Sequence, residues 1–138
     1  MTPVLFWLTL TLFMTALFWL PYSLNRILRV GLVAAMANPK VNDENPYING
    51  LSAWAQRAYF AHVNAMENLA IFSGLAIIAH LVGAGSAGSI VLACQVYFFA
   101  RLAHYLIYAA GIPVARTLLF AVGWFACIII ALALLGVL

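Results

Sequence analysis

Arg57, Asn64, Glu67 and Asn68 recur at intervals that a helix turns onto one side. At 100° per residue with Arg57 at zero, Asn64 falls at about −20°, Asn68 at about +20° and Glu67 at about −80°. A second group surrounds Arg101. Relative to it, Tyr97 lies at about −40°, His104 at about −60°, Tyr105 at about +40° and Tyr108 at about −20°. Five hydrogen-bonding side chains thus share a sector about 100° wide. Donors dominate: arginine offers five N–H groups and no acceptor, and Glu67 is the one carboxylate in either group. Such a set is suited to holding an anion whose charge the chain itself does not supply.

These residues sit in a chain that is otherwise almost wholly apolar. Its 138 residues are 67% hydrophobic and 7% charged, six Lys or Arg against three Asp or Glu. A soluble domain carries roughly 25% charged residues, and the mean hydropathy here is +1.10. An ordinary water-soluble globule is excluded, and a disordered chain more firmly. A net charge of +3 is too small for a nucleic-acid footprint. A membrane-crossing helix needs about 20 apolar residues, so the length fits four spans and short loops. The fold class read here is all-α and integral to the membrane, one four-helix transmembrane bundle over residues 1–138.

The four spans are expected at about residues 2–37, 52–82, 89–110 and 113–138. The first has neither a basic leader nor a small-residue cleavage site and is read as retained, with a kink at Pro21. Asn38-Pro39-Lys40 ends it, and residues 41–50 form the one long polar loop. Gly83 to Gly88 is a tight hairpin, lacking the Lys of a phosphate loop. Gly111-Ile112-Pro113 stops the third span and opens the fourth. Arg26, Arg29, Lys40, Arg57 and Arg116 gather at the two loops on one side, while the other side has no Lys or Arg. By the positive-inside rule both termini face away from the cytoplasm.

Ionisable groups within a span are costly and mark function by default. At 1.5 Å per residue, Glu67 lies roughly 18 Å and Arg101 roughly 14 Å from the cytoplasmic ends of their helices. A Glu67–Arg101 ion pair is therefore expected. Arg57, Tyr108 and Arg116 would ring the mouth above it, with Arg26 and Arg29 approaching from the first span. Polar groups also simply join membrane helices, at about 0.6 kcal/mol each. Four or five arginines against one carboxylate, crowded at one end, weigh against that plainer role. A proton or ion path built on Glu67 is disfavoured by the same arginines. His62, at about +140° from Arg57, and His80 point away from the polar side and are read as packing or inter-subunit hydrogen-bonding groups rather than metal ligands. Cys94 and Cys127 are read as inert fillers, and no metal site is expected.

The stretch Arg57-Ala58-Tyr59-Phe60-Ala61-His62-Val63-Asn64-Ala65-Met66-Glu67-Asn68, followed by Phe72, resembles the second-helix signature of the MAPEG family, the membrane-associated proteins in eicosanoid and glutathione metabolism. Arg101-Leu102-Ala103-His104-Tyr105-Leu106-Ile107-Tyr108 is similar to that family's third-helix pattern R-x-x-H-x-x-x-Y. Arg116-Thr117 resembles the pair that opens its fourth helix. Pro21-Tyr22 with Asn25-Arg26 is similar to the short bacterial branch, which implies a bacterial inner membrane.

The resemblance implies a homotrimer in membrane lipid that binds glutathione between subunits on the cytoplasmic side. Asn64 and Glu67 would hold the backbone and amino group of glutathione, with Arg57 and Arg101 in the supporting charge network. His104, Tyr108 and Arg116 would line the pocket, Arg116 nearest the thiol. Arg26 or Arg29 would reach a carboxylate. Arg116, with Thr117 or Tyr108, would stabilise the thiolate, the nucleophilic form of a thiol. The implied reaction is conjugation to a hydrophobic electrophile or reduction of a lipid hydroperoxide. Gln56, Phe60, Val63 and Phe120 depart from polar positions of the family. The alternative they favour is a non-catalytic, lipid-binding or accessory member.

Overall fold

The computed structural model describes residues 1–38 and 45–137. The polar segment 39–44, including Lys40, Asp43 and Glu44, and the last residue of the fourth span lie outside them. Among the described residues the fold is entirely helical: α1 Pro3–Leu17, α2 Trp19–Val30, α3 Leu32–Met36, α4 Ala53–Leu81, α5 Gly88–Ala110 and α6 Pro113–Leu134. Four stretches are long and apolar enough to cross a membrane, Pro3–Val30, Ala53–Leu81, Gly88–Ala110 and Pro113–Leu134. With this hydropathy they make the chain an integral membrane protein.

The first span departs from the continuous helix expected over residues 2–37. It breaks at Phe18 and again at Gly31, not at Pro21 itself. A proline ring collides with the carbonyl four residues earlier, here Leu17, and lacks an N–H. The helix therefore ends at Leu17, and Pro21 falls in the first turn of α2, where no donor is required. Gly31 has φ +85°, a value glycine adopts without strain. At the other end α6 stops at Leu134, with Gly136 at φ +72°, short of the helix to residue 138 that its apolar run suggested.

Small residues bring the spans together. The buried face of α4 carries Ala55, Ala58, Ala61, Ala65, Ala76 and Ala79 at three- and four-residue steps. Such a stripe lets helix backbones approach closely in a membrane. α5 is the central element, packed against α1, α4 and α6, whereas α1 and α6 do not meet. One apolar cluster surrounds Phe72 and Tyr97, whose rings stack 4.0 Å apart. A second joins Met14, Phe18 and Tyr105 to the alanines of α4. The hairpin end is tied to the N-terminus, where the Val4 N–H donates to the Gly85 carbonyl at 3.2 Å.

Candidate functional site

α5 ends at Gly111, which takes a left-handed conformation with φ +82°. Its N–H donates to the Ile107 carbonyl at 3.1 Å, and the Ile112 N–H to the same carbonyl at 3.2 Å. Those bonds satisfy a carbonyl that the end of a helix leaves open. Arg57 reaches across from α4 to cap the same end, its Nε donating to the Ala109 carbonyl at 3.0 Å. A guanidinium at a helix C-terminus also complements the helix dipole. The elbow so built brings Arg116, in the first turn of α6, beside Tyr108. The Arg116 Cζ lies 4.6 Å from the Tyr108 ring centre, within cation–π range.

Two cavities open at this elbow and share Tyr108 and Arg116 as a common wall. One, of about 280 Å³, is lined by Asn64, His104, Tyr108, Arg116, Thr117 and Phe120. The other, of about 130 Å³, adds Arg57 and the Gly111-Ile112-Pro113 turn. His104 is buried and presents its ring edge-on to Tyr108 at 5.6 Å. The Thr117 hydroxyl donates back to the Pro113 carbonyl at 3.1 Å. Of the candidate residues, Arg57, Asn64, His104, Tyr108, Arg116 and Thr117 are thus brought together.

Arg101 lies beneath the larger cavity, only 2% exposed. The expected ion pair with Glu67 is not formed. Arg101 Nη1 donates instead to Asn64 Oδ1 at 3.0 Å, and Nε and Nη2 have no hydrogen-bond partner among the described residues. Asn64, at about −20°, faces α5, whereas Glu67, some 60° further round, is exposed on the outer side of α4. Similar depth along two helices does not bring two side chains together when their azimuths differ. The Arg101 Cζ rests 5.3 Å from the Tyr97 ring centre and 5.2 Å from that of Phe120. Gly123 admits it: a Cβ there would lie 3.2 Å from Arg101 Nε.

Arg26 and Arg29 stand apart from this elbow within the chain. Arg26 lines a separate cavity of about 270 Å³ with Tyr22, Tyr47 and Tyr59. Its Nη1 donates to the Pro46 carbonyl at 3.2 Å. Arg29 is exposed. His62 accepts or donates a 2.8 Å hydrogen bond with the Tyr22 hydroxyl, and the His80 Nδ1 is 3.3 Å from the Thr2 hydroxyl. Tyr105 leaves the polar sector altogether and packs on Phe18. Among the described residues no group of three or more His, Cys, Asp or Glu comes together.

The contacts that residue spacing alone did not reveal are those of Asn64 with Arg101 and of Phe120 with both Arg101 and His104. The wheel held Asn64 and Arg101 in their polar sectors but did not choose between Asn64 and Glu67 as the partner. Nothing in the spacing placed Phe120. The model of the MAPEG family matches residues 4–136 of the chain. No curated protein and no solved structure matches it.

Proposed function

The chain belongs to the MAPEG family, which includes glutathione transferases and peroxidases as well as non-catalytic members, and on that premise we propose that it is a glutathione-dependent membrane enzyme acting on hydrophobic electrophiles or lipid hydroperoxides. The observation that carries the proposal is the polar cavity at the α5–α6 elbow, with Asn64, His104, Tyr108 and Arg116 around one space. Its residues fit an acidic peptide thiol. Among the described residues two fixed cations, Arg116 in the wall and Arg101 beneath, have no carboxylate bonded to them, and two of the Arg101 guanidinium nitrogens have no partner. Burying such a cation is costly unless an anion compensates it.

Bound glutathione supplies a thiol that, as the thiolate, is nucleophilic toward carbon or peroxide oxygen. The chain holds that negative charge. Arg116 stays protonated at any working pH, so it stabilises an anion without moving a proton. Tyr108, fixed under the guanidinium, offers a hydroxyl that can donate to the same anion. Thr117 contributes less as a donor, because its proton is directed to Pro113. The apolar partner reaches the elbow laterally from the lipid.

The assembly proposed is a homotrimer in membrane lipid. Glu67 is exposed on an α4 face that also exposes Phe60, Val63, Met66 and Ile71. A carboxylate facing lipid costs on the order of 2–3 kcal/mol, which further copies covering that face would avoid. Arg26 and Arg29, remote from the elbow within one subunit, are then available to a neighbour's site. Arg57 and Arg116 lie at the end opposite the Gly83–Gly88 hairpin, and their charge supports a site on the cytoplasmic side with both termini on the other.

Phe60 and Val63, exposed and apolar, favour the second reading of an accessory, lipid-binding member that retains the bundle without the chemistry. Glutathione binding to the purified protein, read as the ultraviolet absorbance of the thiolate, separates the two. The enzyme reading expects saturable binding with thiolate formed at neutral pH. No binding at millimolar glutathione overturns it.

A further inference from the structure

We infer that Arg101 is a positioning residue that locks the Asn64 side-chain amide with its nitrogen toward the elbow cavity, making Asn64 an obligatory donor there. The inference rests on the proposed anion-binding role of that cavity and specifies which group of the ligand it selects.

A guanidinium has five N–H groups and no acceptor. The Asn64 atom 3.0 Å from Arg101 Nη1 is therefore the oxygen, since an amide nitrogen there would set donor against donor. Asn64 also lines the cavity, so the group left to face a ligand is Nδ2. The two ends of an amide are nearly the same size, and only the hydrogen-bond partners decide which way it points.

Arg101 is unable to yield. It is 2% exposed, held between the Tyr97 and Phe120 rings, and closed in by α6 at Gly123. The bond to Asn64 is the one hydrogen bond its guanidinium makes among the described residues. The Asn64 main-chain carbonyl adds no acceptor that could bind a ligand donor freely, because Asn68 Nδ2 donates to it at 2.8 Å.

The cavity thus has two donors that cannot turn into acceptors, Asn64 Nδ2 from α4 and the Arg116 guanidinium from α6. Tyr108 and His104 can serve in either sense. A ligand must then place an acceptor oxygen, such as a peptide carbonyl or a carboxylate, against Asn64, and a second negative group against Arg116. An ammonium group is excluded from the Asn64 position.

Asn64→Asp tests this, because it separates the bond to Arg101 from the donor to the ligand. The aspartate pairs with Arg101 more strongly than the amide, yet presents an acceptor to the cavity. Thermal unfolding in detergent should show a midpoint at or above that of the unsubstituted protein. Glutathione affinity should fall about tenfold or more, as expected when a donor is replaced by a repelling acceptor. Arg101→Lys, which keeps the charge and one donor, should retain more affinity than Arg101→Leu at matched stability. Unchanged glutathione affinity in Asn64→Asp overturns the inference, and so does a loss of affinity that only follows a lowered midpoint. If the unsubstituted protein itself binds no glutathione, the proposed function fails and the amide is read with inorganic sulfate. Stabilisation by sulfate that Asn64→Asp abolishes supports the inference; an equal response in both proteins, including none, overturns it.

Discussion

Phe18 and Tyr105 lie face to face, ring centres 4.0 Å apart and planes within 7°, and the Tyr105 hydroxyl donates to the Phe18 carbonyl at 2.8 Å. Phe18 is the residue at which the first span breaks. A broken helix within the apolar layer leaves main-chain groups that lipid cannot satisfy. α5 supplies both a hydrogen bond and a stacking surface at that point. The Phe18 carbonyl also begins the hydrogen bonding of α2 as its N-cap, so removing the hydroxyl alone, in Tyr105→Phe, should cost the net worth of one hydrogen bond, about 0.5–1.5 kcal/mol. Thermal unfolding in detergent should show the lowered midpoint, and Tyr105→Leu should lower it further. An unchanged midpoint in Tyr105→Phe would mean that the carbonyl is satisfied elsewhere.

The elbow at Gly111 depends on glycine for two separate reasons. Its φ of +82° lies in the left-handed region, where a Cβ costs about 1–2 kcal/mol, and a Cβ there would stand 3.1 Å from Arg57 Cζ. Gly111→Ala should destabilise by at least that amount. Arg57→Lys should weaken the cap on Ala109 while relieving the contact. The two substitutions together should therefore cost less than their sum, a coupling that a double-mutant cycle of unfolding midpoints measures. Strict additivity would contradict the close approach of Arg57 to this turn.

Much of this was legible in the residues. A 7% charged chain with four apolar runs fixes a membrane bundle by solvation alone, and the breaks at Gly83 and Gly111 follow from backbone freedom. Asn64, His104, Tyr108, Arg116 and Thr117 meet because helical spacing and the Pro113 turn leave them few other places to go. Two matters were not legible. The partner of Arg101 depended on azimuth differences of tens of degrees between Asn64 and Glu67, finer than a polar sector drawn on a wheel. The break at Phe18 required the effect of Pro21 to be placed on the carbonyl four residues upstream rather than on the proline.

Sidedness has its own test. If Arg57 and Arg116 mark the cytoplasmic end, residue 45 and residue 86 lie on opposite sides of the membrane. Single cysteines introduced as Asn45→Cys and Ser86→Cys, with the buried Cys94 and Cys127 as slow-reacting background, should react with a membrane-impermeant thiol reagent from opposite faces. Labelling of Ser86→Cys, but not of Asn45→Cys, is expected from outside intact cells. Both reacting from one side would refute the four-span topology.

The central claim is that Arg116, held over the Tyr108 ring, stabilises the thiolate of bound glutathione. The direct measurement is thiolate absorbance against pH at saturating glutathione, for the unsubstituted protein and for Arg116→Ala. The unsubstituted protein should ionise the bound thiol well below its ordinary value of about 8.5, and Arg116→Ala should return it toward that value and lower turnover at pH 7. Binding through Asn64 should survive the substitution. Should Arg116→Ala abolish affinity yet leave the thiol ionising at the same pH, Arg116 would be a carboxylate anchor, and thiolate stabilisation would have to come from Tyr108 or Thr117.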